Sequence, residues 1–126
     1  MTQKIIHTQN APAALGPYSQ AVAYNGILYC SGQIGLDPVT NQLAGDTVEI
    51  QAKQVMTNLE AVLTASGSSF GKVLKSSIFL ADMGDFATVN EIYGACFPSN
   101  PPARETVAVK TLPKNCLVEI SCIAYI

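Results

Sequence analysis

Two amphipathic helical segments set among six strand-like runs constrain this chain more than any other feature. The clearer helix carries Val48, Ala52, Val55, Met56, Leu59, Val62 and Leu63 at the spacing of one helical face. Asp46, with Glu49 three residues on, reads as its N-cap, and Gly67 as its stop. A second helix is predicted from near Asp85 through Phe86, Val89, Ile92, Tyr93, Cys96 and Phe97 to Pro98. Both stripes read as core-facing.

Strands are predicted at Lys4 to Thr8, Ser19 to Tyr24, Ile27 to Ile34, Val73 to Leu80, Arg104 to Thr111 and Cys116 to Tyr125. Asn25-Gly26 is the favoured dipeptide for a type I′ hairpin turn. The order β-β-β-α-β-α-β-β implies an α+β fold with both helices on one face of a mixed sheet. Two helices cannot shield both faces, so the other face must meet something. A second subunit is the simplest cover.

The 126 residues suit one domain, residues 1–126, with its own core. Only 13% of them are charged against 48% apolar, and a surface so poor in charge is often partly covered by another subunit. A net charge of −2 offers no field for polyanions, which argues against nucleic acid. No apolar run approaches the roughly 18–20 residues that span a bilayer. Met1 to Asn10 lacks both a signal peptide's apolar core and a transit peptide's arginines, which predicts a cytosolic protein. Cys30, Cys96, Cys116 and Cys122 form no closely spaced pair, so no metal site is expected and they read as small hydrophobes. His7, the only histidine, has no evident orienting partner and is not taken as catalytic.

Against so few charges, Arg104 and Glu119 stand out. Arg104 opens an apolar strand, and its guanidinium matches a carboxylate bidentately. Glu119 lies inside the last strand between Val118 and Ile120, desolvated enough to be a candidate general base. If Leu112 to Asn115 turns a hairpin, Thr111 faces Cys116 and Ala108 lies opposite Glu119. Arg104, Thr106 and Ala108 alternate onto one side, so guanidinium and carboxylate would then share a surface with a substrate-sized gap. Read from these residues alone, mutual pairing of Arg104 with Glu119, or a contact to a partner subunit, stands equally open.

Gly16-Pro17-Tyr18-Ser19-Gln20-Ala21, Ser31-Gly32-Gln33-Ile34, Asp85-Phe86-Ala87-Thr88-Val89-Asn90, Pro102-Ala103-Arg104 and Leu112-Pro113-Lys114 with Val118-Glu119-Ile120 occur in this order. Together they resemble the reactive-intermediate (imine/enamine) deaminase A family, also called the YjgF or L-PSP endoribonuclease family. The resemblance covers essentially the whole chain. It implies a chorismate-mutase-like α+β fold and a homotrimer with a central barrel, helices outside and active sites in clefts between chains. It also implies that Arg104 binds a carboxylate, Glu119 activates the hydrolytic water, Tyr18 lines the cleft, and Ser31 with Gly32 contacts ligand. Asn90 is read as structural. Many members carry Arg-Ser-Cys where this chain has Arg104-Glu105-Thr106, so a thiol is absent and Thr106 is left as a substrate- or water-binding hydroxyl.

The activity so implied is 2-iminobutanoate/2-iminopropanoate deamination. Reactive enamines and imines derived from 2-aminoacrylate would be hydrolysed to 2-keto acids and ammonia, without metal or organic cofactor. Two alternatives remain. One is an endoribonuclease or translation inhibitor, which would need a basic stripe drawn from Lys72, Lys75, Lys110 and Lys114. The other is a non-catalytic regulatory protein that binds small ligands in the same cleft.

Overall fold

The computed structural model of the protein describes residues 2–126. Strands β1 (Lys4–Ile6), β2 (Ala21–Tyr24) and β3 (Ile27–Ile34) form an antiparallel meander. Its tight turn is Asn25-Gly26, with φ of 54° and 79°, the paired positive values of a type I′ turn. Helix α1 (Val48–Ala65), β4 (Val73–Leu80), α2 (Phe86–Gly94), β5 (Ala103–Ala108) and β6 (Val118–Tyr125) follow. The element order and the α+β class match the reading of the sequence.

Several boundaries move inward. His7, Thr8, Ser19 and Gln20 lie outside strands, as do residues 109–111 and Cys116. Thr47, not Asp46, caps α1, its hydroxyl accepting from the Ile50 amide at 3.2 Å. Helix α2 stops at Gly94, and Cys96 and Phe97 follow in a tighter turn bonded to the Tyr93 and Gly94 carbonyls at 3.0 Å each. Pro98 explains this, because it disfavours helical backbone at Phe97 and supplies no amide donor.

The larger correction concerns topology. The sheet order is β1-β2-β3-β6-β4-β5, with β5 parallel to β4 at one edge and β6 antiparallel between β3 and β4. The expected β5–β6 hairpin does not form. Burial decides it: Val118, Ile120, Cys122 and Ala124 of β6 are all buried, as a central strand requires, whereas no residue of β5 is. The chain leaving β5 therefore passes the end of β4. Val109 donates to the Leu80 carbonyl at 2.8 Å, and the Ala81 amide to Leu117 at 3.1 Å. Helix α2 supplies the crossover that the parallel β4–β5 pair needs.

One face of the sheet joins the helices in the core. Leu28, Ile78, Leu80, Val118 and Ile120 pack there with Val55, Leu59, Val62 and Leu63 of α1 and Val89 of α2. Cys30 and Cys122 are Cα partners across β3–β6 and, with Cys116, are buried as expected. Two polar side chains of α1 are bonded in the core. Asn58 donates to the Ile34 and Leu36 carbonyls at 3.2 and 2.9 Å, and Gln51 accepts from the Leu117 amide at 2.8 Å. These bonds tie α1 to the ends of β3 and β6, where the sequence places its candidate site.

The other sheet face carries no helix. The row Ile5, Val22, Tyr29 and Ile123 crosses it, with Phe79 and Val107 further along. Ile5 and Tyr29 are 54% and 50% exposed, so the β1–β3 part of this face is apolar and open in the single chain, while Lys75 and Glu105 pair on its β4–β5 part. Among the described residues, no helix is long and apolar enough to cross a membrane.

Candidate active site

Glu119 sits on the open face of β6, beside Ile34 of β3 and Phe79 of β4. It is half-buried, and desolvation pushes its carboxyl above the usual carboxylate range. A pocket of about 530 Å³ opens onto it, bordered by Leu15, Tyr18, Ser31, Gly32 and Lys114. The bulge in β3 between Cys30 and Gln33 carries Ser31 and Gly32 to this wall. A Cβ on Gly32 would stand 2.8 Å from Glu119 Cδ, so only glycine leaves the carboxyl its place.

The loop before β2 forms the opposite wall. Ser31 anchors it, the hydroxyl donating to the Ser19 carbonyl at 2.6 Å and the amide to Gln20 at 3.0 Å. The Gln20 side chain is buried and donates to the carbonyls of Thr8, Ala11 and Pro12, which fixes the loop's path. Tyr18 projects from it, 54% exposed at the pocket mouth. Below, Lys114 and Asn115 adopt left-handed backbone, with φ of 56° and 52°, to turn the chain into β6.

Arg104 is elsewhere. It pairs with Ser76 of β4, which in turn faces Cys122, whereas Glu119 lies in the row of Phe79 and Val107. The offset is three residues, an odd number, so the two side chains point to opposite faces of the sheet. Strand spacing puts their backbones roughly 14 Å apart. The expectation that they share a surface within one chain is therefore overturned, and direct pairing between them is excluded by the same geometry.

On its own side Arg104 is held by α2. Its Nη1 donates to Asn90 Oδ1 at 2.8 Å, and the guanidinium lies over the rings of Tyr93 and Phe86, 5.2 and 5.5 Å from their centroids. Phe86, Asn90 and Tyr93 recur at i, i+4 and i+7, one stripe of the helix. A second cavity, about 480 Å³, opens here beside Pro101, Pro102 and Arg104. Thr106, two residues on, shares this face, and its Oγ1 is buried without a hydrogen-bond partner, as is the Tyr93 hydroxyl.

The structure thus gathers Tyr18, Ser31, Gly32 and Glu119 in one place and Arg104 with Thr106 in another. Phe86 and Tyr93 do pack in or against the core, as the sequence predicts, but they and Asn90 also hold the guanidinium, a contact the sequence reading does not assign. Their helical spacing beneath an arginine at a strand edge was the available signal. Chemically, one half offers a fork of donors for an anion and the other a carboxylate that binds its proton more tightly than usual.

Comparison with known proteins agrees with this arrangement of elements. The family model described as Endoribonuclease L-PSP matches residues 8–126. A RutC family protein of Synechocystis is 55% identical over 98% of this chain and 97% of its own length. The 2-iminobutanoate/2-iminopropanoate deaminase of Bos taurus is 48% identical, covering 98% of this chain and 90% of that protein. The crystal structure of E. coli TdcF with bound serine superimposes with a TM-score of 0.92 at 40% identity, covering 98% of both chains.

Proposed function

The chain belongs to the endoribonuclease L-PSP family, and from that membership we propose that it is a 2-iminobutanoate/2-iminopropanoate deaminase assembled as a homotrimer. The observation that carries this reading is the placement of Arg104 and Glu119 on opposite faces of one sheet. An anion clamp and a water-activating carboxylate must meet across one small ligand. A neighbouring copy that brings its β5 edge to the Glu119 pocket joins the two halves. Head-to-tail contacts close into a ring when the rotation between copies allows it, and a ring of three would bring the open sheet faces together at its centre.

At the joined site, Arg104 of one copy binds the carboxylate of a 2-imino acid through charge-assisted hydrogen bonds, with Asn90 fixing the fork. Thr106 stands on the same face, and a turn about its χ1 brings the buried, unpartnered hydroxyl to ligand or water. Tyr18, Ser31 and Gly32 of the next copy wall the cleft beside Glu119. Glu119 takes a proton from water as the oxygen adds to the imine carbon. It returns that proton to the nitrogen, giving a carbinolamine. The new hydroxyl then yields its own proton to the amine through Glu119 as the C–N bond breaks and C=O forms, so ammonia leaves a 2-keto acid. Its raised pKa brings it closer to the base strength that such a transfer needs. Positioning supplies much of the rate, since the imine is already electrophilic.

The test is release of ammonia and 2-keto acid from imines generated in situ by an amino-acid oxidase acting on alanine or 2-aminobutyrate. Turnover should be fast with the wild-type chain and collapse in Glu119→Gln. Absence of turnover with tight 2-ketobutyrate binding would favour a ligand-binding regulator instead, a reading supported by the serine bound to TdcF. The family's name keeps RNA cleavage as the other alternative. Against it, Lys75 is engaged with Glu105 at 3.2 Å, and the chain's net charge is −2.

A further inference from the structure

A third concavity lies outside both half-sites, on the outer side of the helix layer. Between α1 and α2 runs a shallow groove of about 690 Å³, larger than the pocket at Glu119. Its α1 wall runs from Glu49 through Lys53 and Met56 to Glu60, one helical face over three turns. At 1.5 Å per residue that is about 16 Å. The floor is apolar: Met56, Phe70, Ile92 and Cys96, of which the last three are only partly buried.

The rim is acidic. Glu49 and Glu60 stand on α1 and Glu91 on α2, against one ammonium, that of Lys53. Lys53 is already bound to Glu49 at 3.0 Å. Glu60 and Glu91 have no ion pair among the described residues. Besides burial, the Glu60 charge helps to push the Cys96 thiol up, which puts that carboxylate close to the apolar floor. The groove faces away from the open side of the sheet, so it stays accessible when copies associate through that side.

We propose that this groove docks a basic amphipathic helix of a partner protein. Three turns of such a helix match the length of the groove, and two flanking helices offer the ridges that a third packs against. Apolar side chains at i, i+3, i+4 and i+7 would cover Ile92, Phe70 and Met56. Lysines or arginines on the flanks would sit over Glu60 and Glu91.

The probe is a fluorescein-labelled synthetic helix with leucines at that spacing and lysines on both flanks, titrated against the intact wild-type protein. Fluorescence anisotropy should give saturable binding with Kd on the order of 1–100 μM, weakening as salt rises. The same peptide with glutamates for lysines should not bind. Glu60→Gln with Glu91→Gln should weaken binding roughly tenfold while the thermal midpoint holds, and Ile92→Asp should remove it. No saturation at millimolar protein, or binding indifferent to all three substitutions, overturns the proposal. So does a change of oligomeric state in sedimentation of the Ile92→Asp variant, because another copy of this chain would then occupy the groove.

Discussion

Gly32 lies directly against the Glu119 carboxyl, so closely that a Cβ added there would meet three side-chain atoms of the glutamate within 3.0 Å. The backbone of β3 therefore sets where the base can stand. Gly32→Ala must push the carboxylate aside, and a displacement near 1 Å costs about 10²-fold in rate. The pocket beside it leaves the carboxylate room to swing, so stability should change by less than about 1 kcal/mol. Imine turnover and urea melts of the same variant measure both effects. Full activity would mean that Glu119 does not need its present position.

Asn90 orients the anion clamp from α2. Asn90→Ala removes a hydrogen bond to a charged group, worth about 1.5–3 kcal/mol. We expect KM for the imine and Kd for 2-ketobutyrate to rise roughly tenfold to a hundredfold, with a smaller change in kcat. Isothermal titration with 2-ketobutyrate reads the binding part alone. A loss confined to kcat would place Asn90 in the chemical step instead.

Sequence alternation made most strands legible, because β6 alternates buried with more accessible residues throughout and β3 does so up to its bulge. What misled was the stretch from Leu112 to Asn115. It does turn, but two strands joined by a turn are hairpin neighbours only if both need the same company. β5, with Arg104 and Glu105 and no buried residue, suits an edge, whereas β6 brings four buried apolar residues and takes the middle. That difference was present in the composition of the two runs. The roles suggested for Tyr18 and Ser31 came from resemblance alone, since nothing in an isolated tyrosine or serine marks a pocket wall. The constraint on Gly32 is visible only once β6 lies beside β3.

Thr106 offers a separation of stability from function. Its buried Oγ1 has no partner, and an unsatisfied buried hydroxyl costs about 1–3 kcal/mol. Thr106→Val keeps the shape and should raise the thermal midpoint while lowering kcat/KM. Thr106→Ser should restore turnover. A fall in both stability and activity for the valine variant would show that the hydroxyl serves the fold.

The pH dependence follows from the raised carboxyl of Glu119. The folded protein holds this proton more tightly than the unfolded chain does. Stability from this group is therefore full below the usual carboxylate range and is lost as pH rises through the folded pKa. Glu119→Gln removes that loss, so the variant should melt higher than wild type at neutral pH and approach it in acid. Wild-type kcat/KM should fall on the acid side with an apparent pKa above that of an ordinary glutamate. Identical melting curves at neutral pH would argue that Glu119 is fully solvated in the fold.

In a site shared between chains, Arg104 of one copy works with Glu119 of another. Arg104→Ala and Glu119→Gln proteins should each be nearly inactive. Unfolded together and refolded as mixed assemblies, they should regain imine hydrolysis, because some interfaces join an intact arginine to an intact glutamate. For random assembly in equal amounts, about one quarter of the sites are restored, so roughly a quarter of wild-type activity is expected. Mixed assemblies verified by native mass spectrometry but still inactive would contradict a site shared between chains.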